Sequence, residues 1–444
     1  MHAERLGLAA LLWTLIACGL FLVRRRSPLH LPTLALVTTG LVGSFFPVVS
    51  LYIEPSSWRN LDYLSPELVA ATQREYLAFA AGLVIAIAVA SRTALRGASA
   101  PVVEGTSERD FAAAAALLAV GFTLYALYVR QVGLSALFDR EDYASKYLAS
   151  RNLGPLQLGL QLAIAGCLWA EASPLARARK NVFALVAAAI AVWSIAFISV
   201  RTNAVVLALG YGLILCERRG FELRRVRISL VALFALLYLA LESFALFRGT
   251  YRGDLGSAFA VMHSQGERAI ASAIGGSELS HPFVTAGEVL RAREGAELHG
   301  SSLVDGVLAC LPHGLWPERP LLLSEQFVRS NYADLAARGG GAAFSLVAEG
   351  WLDFGSIVGP LLFGLACGAL LSGVERRRAR VPHGLVARLT PYFAFYVAMQ
   401  HRNEFGTLFK TVFTMALVVV PLWLIADAVT AAFQKRVSIA PVRS

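Results

Sequence analysis

The segment Phe344-Ser-Leu-Val-Ala-Glu-Gly-Trp-Leu-Asp-Phe-Gly355 carries two acids, Glu349 and Asp353, four positions apart. On a helix that spacing puts both on one face, with Ser345 one further turn back. They stand at the mouth of an apolar run, where an ionisable group is costly and is kept for function or for pairing. An acid held among apolar residues has its pKa raised and can act as a general base on a sugar hydroxyl. Alternatively Glu349 or Asp353 neutralises an arginine such as Arg201 or Arg402 and ties helices together. Glu242, inside another apolar run, invites the same two readings.

Arginines form the second candidate group. Arg201 sits in a short turn between two apolar runs, and Arg248, Arg252 and Arg402 lie within a turn or two of such runs. A guanidinium keeps its charge and grips phosphate oxygens through two parallel N–H bonds. A cluster of these four at a membrane edge suits a lipid-linked phosphate or diphosphate; taken singly, each can instead snorkel to lipid head groups. Charge that develops on a departing diphosphate is where fixed donors help most.

Other chemistry finds less support. The histidines His263, His281, His299, His313 and His401 form no i, i+4 pair and have no cysteine or aspartate at metal-ligand spacing. Asp-x-Asp, Gly-x-Ser-x-Gly and the Gly-x-x-x-x-Gly-Lys-Ser/Thr loop do not occur. The expectation is therefore chemistry without a metal or other cofactor. The run Gly339 to Gly341 reads as a flexible helix entry or, less simply, as backbone amides for an anion.

The elements that must position these residues are apolar helices. Of 444 residues, 57% are hydrophobic and 16% charged, with a mean hydropathy of +0.60, more apolar than a soluble domain tolerates. Eleven stretches are expected to cross a hydrocarbon core of about 30 Å: 6–23, 31–52, 76–91, 111–129, 156–171, 182–200, 203–216, 228–247, 354–374, 384–400 and 407–430. The fold class that follows is an all-α polytopic membrane protein, with transmembrane helices 1–8 in residues 1–247, a large and partly helical external loop at 248–342, helices 9–11 in 343–434 and a basic tail at 435–444. Basic clusters follow spans 1, 3, 5, 7, 9 and 11, from Arg24–Arg26 to Lys435 and Arg436. The positive-inside rule then puts the N-terminus outside and the C-terminus in the cytoplasm. Most of the net charge of +10 is thereby assigned to loops facing membrane lipids, and nucleic acid is not an expected partner. The five cysteines suggest no disulfide framework.

In arrangement the chain resembles the Wzy-type O-antigen or oligosaccharide repeat-unit polymerases of bacterial envelopes. Three regions carry the resemblance. The first is Leu311-Pro-His-Gly-Leu-Trp-Pro-Glu-Arg-Pro320, then the glycines 339–341, then Ser345 to Gly355. The second is the loop Gly133-Leu-Ser-Ala-Leu-Phe-Asp-Arg-Glu-Asp-Tyr143, and the third the turn Ser199-Val-Arg-Thr202. The chain departs from the family pattern at His313 for arginine, Arg319 for lysine and Asp353 for asparagine.

The resemblance implies a GT-C-like architecture in the bacterial inner membrane and a metal-independent glycosyltransferase. Its substrate would be an undecaprenyl-diphosphate-linked oligosaccharide, transferred on the periplasmic side to the non-reducing end of another repeat unit. With that activity the residues offer compatible parts: Glu349, or in second place Asp353, to assist the attacking hydroxyl, Arg201, Arg248, Arg252 and Arg402 for the departing diphosphate, and Arg140, Tyr143, His313, Trp316 and Arg319 for glycan or diphosphate contacts. Trp351 and Tyr251 offer further faces for a sugar. A flippase and a chain-length regulator are the partners such an enzyme would have. Two rival functions remain at this point: an O-antigen ligase, which uses the same donor, and a transporter or flippase of lipid-linked glycans, against which stands the lack of an internal repeat.

Overall fold

The computed structural model describes residues 2–51, 64–94, 107–134, 153–196, 201–226, 280–293, 295–311, 316–337 and 341–439. The described residues are helical, with no strand among them. In chain order the helices are α1 (His2–Val23), α2 (Leu31–Val49), α3 (Pro66–Ala94), α4 (Ser107–Val132), α5 (Gly154–Ala172), α6 (Arg177–Ala196), α7 (Arg201–Arg218), α8 (His281–Ala292), α9 (Ser301–Leu308), α10 (Leu323–Asn331), α11 (Ala333–Ala337), α12 (Leu346–Phe354), α13 (Val358–Arg380), α14 (Leu385–Ala398) and α15 (Phe405–Ile439). Among the described residues seven helices, α1 to α4, α6, α13 and α15, are long and apolar enough to cross a membrane. Helices α5 and α14 contain shorter apolar stretches. The protein is a helical membrane protein. Ten of the expected spans coincide with helices, α7 among them although it is not one of the seven; the span at 228–247 lies outside the described residues.

The chain divides into two compact units. In the first, Met1–Gly97, Gly220–Gly373 and Tyr396–Lys410, helices α1, α2 and α3 pack on one another. Helices α3 and α13 approach to backbone contact: a β-carbon on Gly364 would stand 2.1 Å from the carbonyl oxygen of Phe79. Membrane helices associate through such small residues, because lipid is as apolar as the side chains they would otherwise present. The segment expected as external loop holds α8 to α11. It is not all solvated surface: α8 packs on α2, α3 and α12, and its Phe283 ring stacks between Phe46 and Tyr76, 5.5 Å from each.

Helix α12 is where the sequence places its two acids, and local chemistry sets its ends. Ser345 Oγ accepts from the backbone N–H of Ala348 at 3.2 Å, an N-cap. Gly355, at φ 82°, stops the helix. The ninth span, expected from 354, thus begins only at Val358, after a turn in which Ile357 also has positive φ, 63°, an uncommon state for a β-branched residue. Glu75 of α3 braces this turn, accepting from Ser356 Oγ at 2.5 Å and from the backbone N–H of Ile357 at 2.8 Å.

The second unit, Ala98–Arg219, Val374–Phe395 and Thr411–Ser444, is built on α4 and α5, whose glycines Gly121 and Gly159 interlock; a β-carbon on either would meet backbone of the other helix within 2.6 Å. Its interior contains an ion pair. Arg388 Nη2 lies 2.7 Å from Asp110 Oδ2, with side chains 4% and 0% exposed, and the same guanidinium donates to the carbonyl of Ala172.

Candidate functional site

Glu349 and Asp353 do share one face of α12, and both are buried, each 1% exposed. What meets them is Ser302, the second residue of α9. Its Oγ is 2.8 Å from Glu349 Oε1 and 2.5 Å from Asp353 Oδ2. The backbone N–H of Phe405 donates to Glu349 Oε2 at 2.6 Å. Among the described residues no guanidinium forms an ion pair with Glu349 or Asp353, so in this structure the acids are not counter-ions of Arg402.

Burial is the main reason that the Glu349 carboxyl is pushed up to about 8; the N–H of Phe405 and the Ser302 hydroxyl oppose that shift, while the neighbouring Glu404 and Asp353 add to it. Asp353 is raised for the same leading reason. The backbone of Gly300 and Ser302 at the start of α9 favours its charged form, although Oδ1 has no hydrogen bond of ordinary geometry.

Geometry adds a constraint of its own. A serine hydroxyl has one proton to donate, yet two carboxyl groups lie within hydrogen-bonding distance of it. With both acids ionised, one of the two contacts would be a repulsion between acceptors. The arrangement is satisfied when the pair holds one proton. In one form Glu349 donates to Ser302 and Ser302 to Asp353; in the other the direction is reversed and Glu349 is the carboxylate.

Beside Glu349 is a cavity of about 10 Å³ lined by Ser302, Asp305, Gln326, Glu349, Glu404 and Gly406, among others, room for about one water molecule or one hydroxyl oxygen. Glu404 is the acid that sequence reasoning passed over. It is 1% exposed, accepts from the backbone N–H and Oγ of Ser324 at 2.5 and 2.8 Å and from Thr407 Oγ1 at 2.7 Å, and burial raises its pKa. Its place immediately before the apolar run of α15 was a visible signal. Ser302 had none.

The remaining expected residues are dispersed. Arg402 ends a 3-10 turn, Gln400–Arg402, and its carbonyl accepts from the N–H of Phe344 at 3.3 Å. Arg201 opens α7, in the second unit. Arg140, Tyr143, Arg248, Arg252 and His313, with Tyr251 and Glu242, lie outside the described residues. Arg319 donates to the carbonyl oxygens of Ala309 and Leu311, fastening the end of α9. Trp316 is 37% exposed, but Trp351 is buried against Gly295 and presents no face to a sugar. His401, read as external, is a core residue: its Nε2 is 2.8 Å from Thr39 Oγ1, and burial lowers its pKa to about 3. No family model, no curated protein and no solved structure matches the chain.

Proposed function

We propose that this protein is a glycosyltransferase of the bacterial inner membrane that polymerises lipid-linked oligosaccharide repeat units at the periplasmic face. It has eleven transmembrane helices in a GT-C-like arrangement, its N-terminus periplasmic and its C-terminus cytoplasmic. The donor and acceptor are undecaprenyl-diphosphate-linked glycans. The observation that carries the reading is Glu349: a buried acid with a carboxyl near 8, joined through one hydroxyl to a second acid, beside a cavity the size of a hydroxyl oxygen.

In this reading the acceptor hydroxyl oxygen enters that cavity. When the shared proton rests on Asp353, Glu349 is the carboxylate and takes the proton of the hydroxyl as its oxygen attacks the anomeric carbon. The bond from that carbon to the diphosphate breaks, and the electron pair leaves with the diphosphate. A base whose pKa lies near the working pH suits such a transfer. Arg201, Arg248, Arg252 and Arg402 are assigned to the diphosphate, and Arg140, Tyr143, His313 and Trp316 to the glycan or the diphosphate. Arg319 serves by holding the end of α9.

The test is an assay of the purified protein in nanodiscs with undecaprenyl-diphosphate-linked repeat units and EDTA, read on a gel. The reading expects a ladder of products that Glu349→Gln abolishes while the protein stays folded. Capping of lipid A core by preformed polymer, with no change in chain length, would make it a ligase instead. Appearance of substrate on the opposite leaflet without bond formation would make it a transporter.

A further inference from the structure

Helix α9 is turned the opposite way from a helix in water. Ser302 and Gly306 face inward and are buried, as is Ala309 just past the end of the helix. Its large apolar residues face outward: Val304 and Val307, with Leu311 just beyond, are 59%, 42% and 40% exposed. Leu303, Val304, Val307 and Leu308 form with Phe405 an open groove of about 330 Å³ lined entirely by apolar side chains. Helix α10, of the same unit, behaves conventionally. It buries Phe327 and Val328 and exposes Glu325, Arg329 and Ser330.

The place of α9 explains the difference. A β-carbon on Gly306 would lie 2.8 Å from the Cα of Gly406, the second residue of the membrane-spanning α15. At the other end of α9, Gly300 lies against the Phe354 ring, with a β-carbon position 3.3 Å from it. Phe354 leads into Ile357 and Val358, 46% and 54% exposed, where membrane-spanning α13 starts. Helix α9 is therefore pinned at one end to the first residues of membrane-spanning α15 and at the other to Phe354, the last residue of α12, four positions before membrane-spanning α13 begins.

We propose that α9 lies in the membrane interface with Val304, Val307 and Leu311 in the hydrocarbon of the adjoining leaflet, an acyl chain of the bilayer occupying the groove. A short helix with one strongly apolar face binds a leaflet in this manner. Ser302 is on the opposite side of the same helix, so the acid pair stands one helix width from lipid. The inference does not depend on the enzymatic reading.

Nitroxide labels on V304C and V307C, in full-length protein with Cys18, Cys216, Cys310 and Cys367 replaced and reconstituted in phosphatidylcholine nanodiscs, test it. Both positions are exposed, and an unchanged melting temperature shows that the labelled protein is folded. Collisions with oxygen several-fold above those with nickel-EDDA, as for L417C on α15 and unlike S330C on α10, are expected. Collisions dominated by nickel-EDDA would put the face in water. Protection from both reagents would mean that protein covers it. Either of these results overturns the proposal.

Discussion

Ser302 and Glu349, 47 positions apart in the chain, meet at 2.8 Å in the interior of the first unit. The hydroxyl holds α9 to α12 and lets two acids share one proton. Ser302→Ala removes it and leaves two buried carboxyl groups short of a partner, at a cost of about 1–3 kcal/mol. A lower melting temperature in detergent is expected, and with it loss of polymer in the ladder assay. A melting temperature equal to that of the parent would show that the hydroxyl carries no such load.

The raised carboxyl of Glu349 makes stability depend on pH. Between its ordinary value of 4.5 and about 8, the folded protein keeps a proton that the unfolded chain has released. Glu349 therefore stabilises most below 4.5, and its contribution is lost as pH rises to 8. His401 works the other way, gaining stability between about 3 and 6.5, so the two oppose one another below 6.5. From pH 6.5 to 8 Glu349 acts alone of the pair, and the fall is up to about 1.4 kcal/mol per pH unit. Melting curves across this window should slope downward, and Glu349→Gln should flatten them.

Turnover separates a chemical from a structural acid at the same position. Glutamine preserves the size of Glu349 and its ability to accept from the N–H of Phe405, but it cannot take up a proton. Glu349→Gln is expected to lower the rate about 10²- to 10⁴-fold in protein that remains monodisperse. Full activity in that variant would remove Glu349 from the chemistry.

The Arg388–Asp110 pair of the second unit has the asymmetry of buried charges. Arg388→Ala leaves buried Asp110 only the longer ion pair to Arg109, at 3.9 Å, and should cost up to about 3–5 kcal/mol, whereas replacing both with apolar residues, Arg388→Met with Asp110→Leu, should recover most of the loss. Thermal midpoints of the single and double variants in detergent decide this.

Gly364 has no room for a side chain. With the carbonyl of Phe79 2.1 Å from where a β-carbon would be, Gly364→Val forces α3 and α13 apart. The yield of monodisperse protein should fall sharply, while Gly373→Val on the same helix, where nothing lies within 4 Å, should leave it unchanged.

What could be read from the chain alone was whatever depends on near neighbours in sequence. The membrane class follows from the length of apolar runs. That Glu349 and Asp353 share a face follows from the pitch of a helix, and the limits of α12 follow from Ser345 and Gly355. Tertiary structure decided what the acids meet. Ser302 reaches them because Gly306 and Gly406 allow α9 and α15 to touch, and neither glycine differs in sequence from the many others. Trp351 and His401 read as available side chains because they stand near the ends of apolar runs; the chain at Gly295 lies against Trp351, and Thr39 of α2 with Tyr76 and Phe79 of α3 surround His401. The outward apolar face of α9 was equally invisible, because the same aliphatic residues would be core in a helix surrounded by protein. Burial is a property of what packs against a residue, and no local pattern specifies that.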